Sequence, residues 1–115
     1  MVPGLATYYE GFTVRIRDVW RFEQDDTLIF RLELENTTDQ AIRYSSQDLA
    51  IRLENQIYPQ SLADASGIIP PKSLSPAFVA ITGNGQGGRN NLAPNNKWNV
   101  LVVRSESQLS TNDYK

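Results

Sequence analysis

Between Thr27 and Glu35 the chain alternates: Leu28, Phe30, Leu32 and Leu34 fall on one side, Arg31, Glu33 and Glu35 on the other. Successive side chains of a strand point to opposite faces, so this pattern predicts a strand with one dry and one wet face. Ile29 is the apolar exception on the wet side. Asn36-Thr-Thr-Asp39 follows, a run of residues whose side chains bond the backbone locally and favour a turn.

Upstream, Phe12, Val14 and Ile16 alternate with Arg15 and Arg17. Continued without interruption, that phase carries Asp18 inward together with Trp20 and Phe22. An unpaired buried carboxylate is costly. We therefore expect a bulge near Asp18-Val19 that resets the phase, the alternative being that Asp18 finds donors at the sheet margin. Glu23–Asp26 reads as the turn between the two strands. If Phe22 lies opposite Leu28, Arg17 falls opposite Glu33 and Arg15 opposite Glu35, pairs that support register. A bulge would displace them by one residue, so the two expectations compete.

Downstream, Ala41–Tyr44 and Leu49–Leu53 read as short strands separated by a Ser45–Asp48 turn, and a reversal at Asn55-Gln56 leads into Ile57-Tyr58. Ser61–Gly67 is compatible with a single helical turn, and Pro70-Pro71 forbids helix beyond it. Leu74–Thr82 is apolar on both faces, with Phe78 and Ala80 on one and Val79 and Ile81 on the other, which predicts cover on both sides. Lys97–Arg104 is the last predicted strand. About seven short strands with regular turn signals specify an all-β fold, an immunoglobulin-like β-sandwich. The expected organisation is an N-terminal arm at 1–9, the sandwich at 10–104 and a polar tail at 105–115.

The order of these motifs resembles bacterial immunoglobulin-like accessory domains of the telokin-like (DUF4352) type. An alternating strand ends in Leu34-Glu-Asn36; the Ile42/Tyr44 and Leu49/Ile51/Leu53 strands follow; Ile69-Pro-Pro-Lys-Ser73 precedes the Phe78 strand. The resemblance covers residues 12 to 103 and departs at the long Gly/Asn loop before Trp98. It implies the fold and a non-catalytic, extracytoplasmic role, and it supplies no functional residues.

Composition narrows the chemistry. At 115 residues the chain can build a two-layer core without metal or disulfide staples. Cysteine and histidine are both absent, which removes thiol nucleophiles, thiolate and imidazole metal ligands, and the commonest general base. No enzyme activity and no cofactor are expected. Net charge is −2 with the basic residues scattered, so nucleic acid is not an expected partner. No apolar run approaches the roughly 20 residues of a membrane helix. Residues 1 to 6 have neither a basic start nor a long apolar segment, so no leader peptide is expected there.

Binding candidates lie at two places. Loop 83–96 combines glycines with Asn84, Arg89, Asn90 and Asn91, offering close backbone approach, amide donors and acceptors, and a guanidinium for a carboxylate. The same residues suit a plain connection between strands. Tyr8 and Tyr9 are the candidate surface aromatics, on an arm that either binds the sheet edge of another copy or covers Val79 or Ile81. Trp20 and Trp98 could form a sugar-stacking platform, although the phase of Trp98 with Val100 and Val102 assigns it to the core. Asp25, Asp26 and Asp64 lack calcium-loop spacing and read as turn chemistry. Asn36-Thr-Thr38 matches a glycosylation acceptor. The function expected is protein–protein interaction or assembly in a bacterial envelope, secreted or phage-type structure. The alternative is a carbohydrate-binding module that uses loop 83–96.

Overall fold

A computed structural model describes residues 5–83 and 88–105 of the chain. Among them are ten strands: β1 (Leu5–Tyr9), β2 (Phe12–Phe22), β3 (Thr27–Asn36), β4 (Ile42–Arg43), β5 (Ala50–Leu53), β6 (Gln56–Pro59), β7 (Leu62–Ala65), β8 (Ile68–Ile69), β9 (Ser73–Thr82) and β10 (Asn99–Leu101). One turn of 3-10 helix spans Ser46–Asp48. The fold is all-β and sandwich-like. A five-stranded sheet in the order β1-β2-β3-β9-β7 accompanies a three-stranded sheet, β10-β5-β6, and a β4-β8 ribbon. Every pairing within these sheets is antiparallel. The strands beyond the expected seven are β1, which was expected as an arm, and the short β7 and β8, of four and two residues.

The dry face of β3 is the centre of the core. Leu28, Phe30, Leu32 and Leu34 are buried, as are Val14, Val79 and Ile81 from the strands on either side and Ile51, Val100 and Trp98 from the opposing layer. Phe30 meets Trp98 edge to face, with ring centroids 5.1 Å apart. That arrangement directs a positive ring edge at a negative ring face. Trp98 is thus a core residue, as its phase indicates, and its indole nitrogen donates to the Pro94 carbonyl at 2.9 Å.

The bulge falls one residue before the expected place. Ile16 lies opposite Leu32 and Asp18 opposite Arg31, so Arg17 has no direct cross-strand partner. Beyond this shift Val19 enters the core, while Trp20 and Phe22 turn outward and stand 44% and 48% exposed. Asp18 is also outward and pairs with Arg31. The two competing expectations are reconciled on the diagonal. Arg15 sits directly opposite Glu33, yet Arg15 bonds Glu35 at 2.7 Å and Arg17 reaches Glu33 at 3.8 Å. Diagonal neighbours in an antiparallel pair are within reach of side chains this long.

Two expectations need correction. The arm is not separate from the sandwich: β1 hydrogen-bonds to β2 from Leu5↔Ile16 to Tyr9↔Phe12, through a tight turn at Glu10-Gly11 where Gly11 has φ +89. It does not cover Val79 or Ile81 either, because β2 and β3 stand between β1 and β9 and both residues face the core. The helical turn at 61–67 is instead strand β7, which pairs with β9 from Leu62↔Ala80 to Ala65↔Ala77. At the other end of the fold, Ser105 donates its N–H to Arg43 O at 3.0 Å. The rest of the expected tail lies outside the described residues.

Candidate functional site

Loop 88–96 is built around a carboxylate. The bulge turns Arg21 onto the inward face of β2, opposite Leu28, where a guanidinium requires a counter-charge. Asp26 supplies it from the β2–β3 turn at 2.6 Å, and both side chains are almost fully buried. Asp26 takes a left-handed backbone, φ +47, that aims its carboxylate at the loop. Its two oxygens accept the backbone N–H groups of Asn90 (2.6 Å) and Asn91 (3.2 Å). Burial pushes the Asp26 carboxyl up, but the Arg21 hydrogen bond, the two N–H donors and the charge of Arg89 outweigh it and hold the group below its ordinary value.

The same cluster absorbs most of the loop's candidate residues. Asn90 Nδ2 donates to Asp26 O and Gly83 O, and Asn90 Oδ1 accepts from Arg21 and from Leu92 N–H. Arg89 is exposed, donates to Glu23 O and Asn91 Oδ1, and lies 3.8 Å from Asp26. Asn84 lies outside the described residues. An amide whose donors and acceptor are held this way has little left for a sugar. Leu92 is partly buried and packs against the core.

Tyr8 and Tyr9 diverge, because neighbours on a strand face opposite ways. Tyr8 is outward and 77% exposed. Tyr9 is inward, stacked on Phe12 with centroids 4.9 Å apart. Its hydroxyl donates to Val100 O at 2.6 Å and accepts Val102 N–H at 3.0 Å. Thr7 Oγ1 accepts Val100 N–H in the same manner. Two side chains of β1 thereby occupy the edge of β10 that no strand covers among the described residues, closing one side of the sandwich. The tyrosines and the loop do not meet. Tyr9 lies level with Phe12 and Asn36, whereas Asp26 lies beyond Phe22 and Thr27, at the other end of β3. At the usual rise, its ten residues separate these ends by about 30 Å.

Asn36 is buried, and its amide nitrogen donates to the carbonyls of Gln40, Ile69 and Pro70. The glycosylation acceptor pattern is therefore a structural turn in the folded chain. A hollow of about 690 Å³ lies over this turn between Glu35, Lys72 and Leu74. It is wide open, and the polar atoms of Asn36 beneath it are already bonded within the protein.

The outer face of the five-stranded sheet carries what the sequence reading missed. Cross-strand register sets Trp20, Ile29, Ala80 and Leu62 in one row over four strands, all outward. Phe78 stands in the next row and Phe22 on the other flank of Trp20. Leu62 is 69% exposed and Phe78 39%. Between Ile29, Leu62 and Phe78, over the small Ala80, lies a wholly apolar depression of about 240 Å³. Exposed apolar residues scattered singly are ordinary, whereas these form a contiguous row across the sheet. Two signals pointed here, Ile29 on the wet side of β3 and the two-sided apolar character of 74–82, whose outer face is exposed at Leu74 and Phe78 rather than covered as expected.

A scan of family models gives no match to the chain, and neither does a comparison with curated proteins. Among solved structures, the fold is similar to that of a conserved hypothetical protein from Bacillus anthracis. The two are 15% identical with a TM-score of 0.51, over 99% of this chain and 92% of that one. At that identity the likeness speaks for the fold alone.

Proposed function

We propose that this chain is a non-catalytic, immunoglobulin-like module that binds another protein on the outer face of its five-stranded sheet, as part of a bacterial envelope, secreted or phage-type assembly. The observation that carries the reading is the row Trp20–Ile29–Ala80–Leu62 with Phe22 and Phe78 beside it. Aromatic residues are enriched at protein interfaces, and a surface held by β-ladders loses little further freedom on binding. Ion pairs at Arg15–Glu35 and Asp18–Arg31 lie toward the other end of the same face, as a polar rim would. The non-catalytic role and the extracytoplasmic setting come with the resemblance to telokin-like accessory domains.

A photo-activated cross-linker placed at Phe22, Leu62 or Phe78 tests the reading, with Ile57 on the second layer as control. Expected is one protein adduct formed from the outer face and not from Ile57, identified by mass spectrometry and reconstituted with the purified partner. Equal adducts from both positions would refute it. Fractionation of the source cells tests the setting, which a cytoplasmic location would exclude.

A further inference from the structure

We infer that the partner of this face presents a large apolar side chain beside a lysine or arginine, an inference that rests on the docking reading above. It follows from the charges left over. Three ion pairs, Arg15–Glu35, Arg17–Glu33 and Arg31–Asp18, use every cation at the outward positions of the five strands. The remaining charge is Asp64 on β7. It is exposed, lies opposite Phe78, and has no hydrogen-bond or ion-pair partner among the described residues.

Asp64 also stands where apolar binding would occur. It borders the depression over Ala80, and it borders a second one of about 300 Å³ formed with Ser66, Ser75, Pro76 and Phe78. A partner that covers the apolar row strips water from this carboxylate, and a buried charge without a counter-charge is costly. A cation from the partner removes that cost. Lysine and arginine suit the place because their aliphatic stems can lie along the Phe78 ring while the charged head reaches Asp64. The apolar neighbour fills the depression over Ala80.

The same charge argues against other occupants. A second copy packed face to face would bring two uncompensated Asp64 carboxylates into one interface, with all the arginines of both faces already engaged. Like charges so placed oppose association. An anionic surface or nucleic acid is repelled for the same reason.

The test is selection of short random displayed peptides on the intact chain, followed by binding of the synthetic winners. Winners are expected to carry Leu, Ile, Met, Phe or Trp within two residues of Lys or Arg. They should weaken about tenfold or more against Asp64→Asn, as a desolvated charge pair requires, and lose binding to Ala80→Arg, which fills the depression. If Ala80→Arg does not fold, Leu62→Glu at the exposed margin replaces it. Winners that respond to Ala80→Arg but ignore Asp64→Asn overturn the basic partner and leave the docking reading standing. Winners indifferent to both, or no enrichment, overturn the inference, and indifference to both also removes support for the docking face. A dimer in light scattering that Ala80→Arg dissolves assigns the face to a second copy and overturns the inference as well.

Discussion

Arg21 and Asp26 close a 2.6 Å ion pair from the inward face of β2 to the turn that follows it, and loop 88–92 is tied to that pair. The carboxylate organises residues 88–92 of the loop. Because the folded Asp26 carboxyl lies below its ordinary value, its contribution to stability is fully present above the unfolded value of about 3.9 and is lost as pH falls through the folded one. Asp26→Asn is expected to lower the melting temperature at neutral pH and to flatten the loss of stability below about pH 4. A variant with the same acid limb as the parent would show that Asp26 is not the group responsible.

Tyr9 and Tyr44 make a matched pair of hydroxyl deletions. Tyr9→Phe removes a group that both donates to and accepts from β10 and is expected to cost about 1–3 kcal/mol in a denaturant melt. The buried Tyr44 hydroxyl has no hydrogen-bond partner among the described residues, so Tyr44→Phe should melt no lower than the parent. The reverse order would refute the role given to Tyr9.

Phe30→Ala is expected to cost roughly 3–5 kcal/mol, since it empties the centre of the core against Trp98. Arg31→Ala, the next residue, breaks an exposed pair with Asp18 and is expected to cost under about 1 kcal/mol. Chemical denaturation of both variants checks the facing of β3.

Calcium is expected to leave the melting temperature unchanged. Calcium takes six to eight oxygen ligands, whereas both Asp26 oxygens already accept N–H donors from Arg21, Asn90 and Asn91. A saturable rise that chelation reverses would contradict this.

The long strands were legible because alternation sustained over many residues leaves a consistent face, as in Leu28–Leu34 with Ile29 its one exception. Leu62-Ala-Asp-Ala65 was not, since alanine and aspartate carry little strand preference and the segment is a strand only because β9 offers it a ladder. Loop residues such as Asn90 read equally well as ligand donors or as scaffolding. The buried Asp26 that decides between them was visible in sequence only as half of an Asp-Asp turn. The apolar row was hidden for another reason. Its four members come from strands up to 60 residues apart, and although Ile29 stands out along β3, nothing along any single strand shows that the four align.

The bulge at Arg17 has a consequence for how such a surface can arise. Side-chain direction along a strand has only two values, so one added residue exchanges them for everything beyond it. On β2 that exchange sends Val19 and Arg21 inward and Trp20 and Phe22 outward. One residue is also the smallest change in length a gene can make without breaking its reading frame. A single codon gained or lost at this point therefore separates a sandwich that hides its aromatics from one that displays them, and a new adhesive face needs no accumulation of surface substitutions to begin.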